Sequence, residues 1–443
     1  MAPRRKIIID TDPGVDDILA ILLAFSATSE ELDVLLLSLT YGNVEVDKCL
    51  RNVISLLYHV HQEMRWRQQN GKAPGFEALS ASKPIVAIGA ENPLADAMLM
   101  ADYFHGTDGL GGISESHPHL TPDETWQALS KQVSKSNKPE DAAARSELSD
   151  KDQLFRPSKI PAHKEILRLL KENAQDEITI VAVGPMTNLA LAAAEDPVTF
   201  LRTKEVVIMG GAVSVPGNIT PVAEFNTFAD SYAAARLYAL SSPLPASTMP
   251  PTPPTPQGKR TVFPPPPHLS PYPRSLPKQL PITLFPLDIT HVHNLTRTTF
   301  TNTVTPLISA GSPLAKWIDA FISSTFRKVE SLRSADTTSE LSLEMHDPLC
   351  IWYVLTGHRP GWKVLHAEDL RVETSGQWTR GMCVVDGRDR KKADEGMAQA
   401  GKEIKGDHGG WLSNQRGNRV DRAVASPDAE GFAGEMLGRI FGL

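Results

Sequence analysis

The sequence predicts an α/β fold, a doubly wound and mostly parallel sheet flanked by helices, in a single large domain with two surface insertions. Three observations carry this expectation. Apolar β-type runs alternate with helical patterns in the first half of the chain, the rhythm of βαβ units in which parallel strands are joined through covering helices. A chain of 443 residues is long enough to bury a substantial core. After the second of two irregular stretches a strand-like run resumes at Ile282-Thr283-Leu284-Phe285, so that stretch interrupts a domain and need not divide two.

Taken in order, Lys6 to Asp10 reads as a strand and Asp17 to about Ala27 as a helix. Val34 to Thr40 is the next strand, followed by a helix from Val46 through Leu57. Pro84 to Gly89, Glu177 to Val183 and Val206 to Met209 are further strands. The run at 177–183 is apolar enough to be central. Thr121 to Pro161 is polar without a sustained period, a surface excursion with a helix beginning near Pro161. Ser241 to Pro281 carries proline runs such as Pro250-Pro251-Thr252-Pro253-Pro254. Consecutive prolines supply no ladder or helix donors, so this insertion is expected to be extended or disordered.

Bulk properties exclude more than they assign. With 52 acidic and 45 basic residues the formal charge is −7, which gives no electrostatic reason to expect a nucleic acid or an anionic membrane as partner. Three cysteines, Cys49, Cys350 and Cys383, are too few for a disulfide framework and are expected to be buried, reduced thiols. The apolar run after the basic start ends at Asp10, short of a signal-peptide core, and no stretch is long enough to span a bilayer. The cytoplasm is the default compartment.

In open parallel sheets ligands gather beyond the carboxyl ends of the strands. The first such place reads Asp10-Thr11-Asp12-Pro13-Gly14-Val15-Asp16-Asp17, four carboxylates in one strand-to-helix turn. Capping of the helix that follows explains one or two of them. Four repel one another strongly unless a cation or shared proton intervenes, and their hard oxygens favour Ca²⁺ or Mg²⁺. A second acidic site is Met345-His346-Asp347-Pro348. Asp-Pro is a common helix start, but a histidine beside a metal-binding carboxylate is also a ready proton donor. The third is Gly217 to Asn226. If Pro221 to Asn226 is extended, Glu224 and Asn226 share a face and could grip adjacent sugar hydroxyls, with a solvated edge segment as the plainer alternative.

These segments, with Thr40-Tyr41-Gly42-Asn43, His105-Gly106, Val183 to Asn188, Met209-Gly210-Gly211 and Pro286 to His291, resemble the inosine-uridine-preferring nucleoside hydrolases. The likeness covers nearly the whole chain outside the two insertions, and the Asp-rich run is that family's signature. The resemblance implies hydrolysis of the N-glycosidic bond of ribonucleosides to ribose and free base, for nucleoside salvage. It implies a bound Ca²⁺ with Asp12, Asp17, Asp347 and the Val183 carbonyl as ligands, and Asp10 supporting them from behind. Asp16, Asn43, Asn218, Glu224, Asn226 and Met209 match positions around the ribose, and His105 one on the base side. Asp12 matches the base that activates water, and His346 the acid that protonates the leaving base. A homo-oligomer, dimer or tetramer, is also implied.

Phe321 and Phe326, at helical spacing, are candidates for base contact, although aromatic spacing of this kind is more often core packing. Two rivals remain. Haloacid dehalogenase-type phosphatases also place Asp-x-Asp after a first strand, but the Asp16-Asp17 pair is foreign to their pattern. A calcium-dependent nucleoside or sugar binder without turnover would keep the same pocket.

Overall fold

Ile7, Ile8 and Ile9 are all fully buried, because the strand that carries them lies in the middle of a sheet covered on both faces. In a computed structural model of the chain, residues 4–95, 98–122, 154–251, 269–333, 339–388, 390–393 and 404–443 are described. The strands are β1 (Arg5–Thr11), β2 (Leu32–Leu39), β3 (Ile85–Ile88), β4 (Arg156–Pro157), β5 (Ile178–Ala182), β6 (Glu205–Met209), β7 (Ile282–Phe285), β8 (Asn294–Thr296), β9 (Ser342–Glu344), β10 (Lys363–Glu368), β11 (Leu370–Val372), β12 (Cys383–Val385) and β13 (Val420–Ala425). Nine of them form the main sheet in the order β10-β13-β7-β6-β5-β1-β2-β3-β4. Every pairing in it is parallel except β10 against β13.

The chain runs outward from β1 through β2 to β4, then returns to place β5 on the other side of β1. The carboxyl ends of β1 and β5 therefore flank the point where strand order reverses, the usual ligand crevice of doubly wound sheets. Side-chain alternation sends Ile7 and Ile9 to one helical layer and Ile8 to the other. Each such isoleucine contributes roughly 1.5–3 kcal/mol by burial. Helix α1 (Val15–Phe25) and helix α2 (Val46–Gln69), with helices Pro313–Leu332 and His346–Thr356, form the first layer. Helices Ala162–Glu172, Thr187–Glu195 and Ser231–Ala239 form the second.

The predicted strands and helices recur with ends shifted by a residue or two, and β7 has the bounds read from sequence. Helix α2 runs on past Leu57 to Gln69, held in part by the buried Glu63–Arg67 pair at 2.9 Å. Most of the polar excursion at 121–161 and the proline-rich core of 241–281 lie outside the described residues. The described flanks of the latter are packed rather than loose: Arg236 stacks on Tyr272 and donates to the Ser270 carbonyl at 2.8 Å. All three cysteines are buried and free. No helix among the described residues is long and apolar enough to cross a membrane.

Candidate active site

The turn from β1 into α1 is organised by Asp17. Its Oδ2 accepts from the Gly14 backbone N–H at 3.0 Å and its Oδ1 from the Thr11 hydroxyl at 2.6 Å, so this carboxylate caps the helix start as a favourable negative charge. Asn43, just after β2, clamps the same turn. Its Nδ2 donates to Asp17 Oδ2 at 2.8 Å and to the Asp12 carbonyl at 3.0 Å, and its backbone N–H donates to Asp12 Oδ2 at 2.7 Å.

Asp12 sits in a cradle that side chains would fill. A Cβ on Gly42 would lie 2.0 Å from Asp12 Oδ2, and one on Gly184 would lie 2.5 Å from Oδ1. Oδ1 is buried and has no hydrogen-bond partner in the protein, a costly state for a carboxylate oxygen unless something else binds it. Asp10 lies deeper. Its Oδ1 accepts from the Ser38 hydroxyl and from Asn188 Nδ2 at 2.9 Å. Asn188 Oδ1 in turn accepts from the Ala90 N–H at 2.8 Å, which ties the ends of β1, β2, β3 and the helix Thr187–Glu195 together.

Asp16, Asp17 and Asp347 each offer a carboxylate oxygen, and the three oxygens lie within 4.8 Å of one another. Asp347 reaches them from the first turn of helix His346–Thr356. Burial pushes Asp10 up to about 7, and burial together with neighbouring aspartate charges raises Asp12, Asp17 and Asp347 above the ordinary carboxylate range. Such a group of desolvated carboxylates favours either protons or a cation. A divalent ion with a preference for hard oxygen fits the donor set, the partnerless Asp12 oxygen and the glycine cradle. Asp16, read from sequence as a ribose contact, thus lies in the acidic cluster itself.

Above these carboxylates opens a cavity of about 590 Å³. Asp16, Asn43, His105, Val183, Met209, Asn218, Glu224, Asn226, His346 and Asp347 all line it, so residues from seven separate stretches of chain meet there. Asp10, Asp12 and Asp17 are fully buried and lie outside the lining. The Val183 carbonyl accepts from Asn226 Nδ2 at 3.0 Å. His105 Nδ1 accepts from the Val15 N–H at 3.3 Å, and its burial lowers its basicity.

One local expectation is corrected. Pro221 to Asn226 is not an extended stretch presenting Glu224 and Asn226 on a common strand face. Glu224 is the N-cap of a short helix, Phe225–Ala229, and its carboxylate accepts from the backbone N–H groups of Gly211, Asn226 and Thr227 at 2.6–2.9 Å. The cap bends the chain and still delivers both side chains to the cavity; burial raises Glu224 above its ordinary value. Asn218 Oδ1 accepts from the Phe225 N–H at 2.9 Å and braces the same bend.

Phe321 and Phe326 are also corrected. Both are buried in the core, against Trp317 and Phe300 respectively. The cavity instead meets Thr325, Val329 and Leu332 of that helix, with Tyr103 and Phe104 opposite. Glu344 and Thr290 escaped the sequence reading. His346 contacts both, Nδ1 with the Thr290 hydroxyl at 2.7 Å and Nε2 with Glu344 at 3.3 Å. Burial alone would make His346 less basic, but the Glu344 bond and the charges of Asp16, Glu344 and Glu224 raise it.

Carboxylates gathered by a cavity at the reversal point of a parallel sheet mark the ligand site of a doubly wound α/β protein. The chain belongs to the inosine-uridine preferring nucleoside hydrolase family, whose family model matches residues 7–408. It is an N-glycosyl hydrolase acting on ribonucleosides. The pyrimidine-specific ribonucleoside hydrolase RihA of Shewanella woodyi is 26% identical over 86% of this chain and 88% of its own. Uridine nucleosidase 1 of Arabidopsis thaliana is 32% identical over 53% of each chain. The fold matches a plant nucleoside hydrolase, PpNRh1, with a TM-score of 0.64, 22% identity and full coverage of both chains. It also matches a purine-preferring ribonucleoside hydrolase from Gardnerella vaginalis, with a TM-score of 0.61, 20% identity and coverage of 99% and 98%.

Proposed function

We propose that this enzyme cleaves purine or pyrimidine ribonucleosides to ribose and free base with Ca²⁺ as cofactor, in cytoplasmic nucleoside salvage, as a dimer or tetramer. The observations that carry the reading are the Asp16, Asp17 and Asp347 oxygens within 4.8 Å of one another and, separately, a buried Asp12 oxygen without a protein partner, beside a cavity of about 590 Å³ that Asp16 and Asp347 line. Asp12, Asp17, Asp347 and the Val183 carbonyl are the proposed ligands, with Asp10 behind them. A bound divalent ion would supply Lewis acidity toward water and the ribose diol.

The chain's own groups do the rest. Asn43, Asn218, Asn226 and Asp16 orient the sugar, and Met209 packs against it. As the C1′–N bond lengthens, positive charge grows on the furanose. The Glu224 carboxylate, preorganised by three backbone N–H groups, favours that charge more than the neutral ground state. Asp12 accepts the proton of the attacking water. The base leaves poorly as an anion, so a proton from His346 completes the reaction, with His105 on the same side of the cavity.

Ribose release from inosine, uridine, cytidine, adenosine and guanosine, with and without a chelator, tests the reading. Activity on at least one of them that disappears with chelator and returns with Ca²⁺ is expected. Free-base release indifferent to chelation removes the metal from the proposal, and phosphate release from monoesters without nucleoside cleavage replaces it.

A further inference from the structure

Glu344 ends β9, two residues before His346, and both side chains line the cavity. Its Oε2 lies against two imidazoles, 2.6 Å from His291 Nδ1 and 3.3 Å from His346 Nε2. The other nitrogen of His346 lies 2.7 Å from the Thr290 hydroxyl. The two contacts thus grip opposite edges of the ring, Glu344 at Nε2 and the Thr290 hydroxyl at Nδ1. The His346–Glu344 contact is longer than a strong charge-assisted bond of about 2.8 Å, so a base nitrogen can take the place of the carboxylate as acceptor. The shorter bond from His291 keeps Glu344 where it is.

We propose that Glu344 is a positioning residue for departure of the base: it holds the His346 ring, with its Nε2 edge, toward the cavity. Thr290 secures the opposite edge of the ring, and His291 secures Glu344. This rests on His346 as the proton donor in the reading above. In the reacting state the ring is an imidazolium, with Nδ1–H donating to the Thr290 oxygen. When the C1′–N bond breaks, its electron pair stays on the base. The Nε2 proton passes to that base, and a neutral imidazole protonated on Nδ1 remains.

The test compares substrates that need the proton with one that does not. In 4-nitrophenyl β-D-ribofuranoside the phenolate leaves unprotonated. Turnover of this compound, inosine and uridine is measured with the full chain in Ca²⁺ for wild type, Glu344→Gln, Glu344→Ala, His291→Asn and His346→Ala. Glutamine keeps the size of the side chain and removes the charge that faces the two imidazoles. Both Glu344 variants should lose about tenfold or more in kcat on the nucleosides and less than about twofold on the nitrophenyl riboside. His291→Asn should show a smaller split of the same kind, and His346→Ala a larger one. Unchanged nucleoside turnover in both Glu344 variants, or equal losses on all three substrates, with the split intact in His346→Ala, overturns the role of Glu344 alone. A wild type that cleaves no nucleoside, or His346→Ala without the split, overturns the functional reading and the role of Glu344 with it.

Discussion

Asn43 holds Asp12 from two sides: its backbone N–H donates to the Asp12 carboxylate at 2.7 Å while its side-chain amide donates to the Asp12 carbonyl at 3.0 Å. One oxygen of Asp12 is thereby occupied and the other, Oδ1, is left buried and free for another partner. Asp12→Asn retains the shape and removes the charge and basicity. It should lower kcat on inosine or uridine by about 100-fold or more while the far-ultraviolet circular dichroism stays unchanged. Steady-state kinetics within about twofold of wild type would remove Asp12 from the reaction.

The glycine at 184 makes a sharper demand. A methyl there would stand 2.5 Å from Asp12 Oδ1 and 3.1 Å from Thr40 Cγ2, and overpacking of this kind costs about 1–3 kcal/mol. Gly184→Ala should lower the thermal midpoint and reduce kcat by more than the stability loss alone accounts for at temperatures where the variant is folded. Full activity in a folded Gly184→Ala protein would mean that Oδ1 has room to move, and the cradle would have no functional meaning.

Acid stability should depend on His59, which lies far from the aspartate cluster in the chain. The ring stacks on Trp317 at 4.8 Å and its Nε2 lies 2.7 Å from the Leu120 carbonyl, while Nδ1 is buried without a partner. Burial pushes its pKa from the ordinary 6.5 down to about 4. A histidine whose folded value lies below its unfolded one stabilises above about pH 6.5 and loses that contribution as pH falls toward 4. The amount at stake is on the order of 3 kcal/mol. His59→Gln should therefore be less stable than wild type in urea at pH 7.5, and the gap should narrow steadily between pH 6.5 and 4.5. A gap that is constant or widens toward acid contradicts this account of His59.

What could be read from residues alone was what repeats locally. β1, α1, β2 and β7 announce themselves through apolar periodicity and the turn residues between them, and the Asp-rich turn through its charge density. Asn43, His105, Met209 and Asn218 were legible through the family resemblance alone, and Thr325, Val329 and Leu332, inside a helix, were not legible at all. Glu344 was not, because the His291 that holds it lies more than fifty positions earlier, beside the two-stranded ladder of β8 and β9. Nor were the partners of Asp10, since Ser38 and Asn188 come from other strand ends that only the sheet order brings together. Glu224 misled because capping by a carboxylate and strand alternation make the same short polar sequence plausible, and only the three backbone donors around it decide between them.

The most direct measurement is the metal content of the purified enzyme by plasma mass spectrometry, wild type beside Asp17→Asn and Asp347→Asn. The account predicts one calcium per chain in the wild type and a large loss in both folded variants. A wild type that cleaves nucleosides while carrying no stoichiometric divalent ion, or variants that keep the full amount, would contradict it.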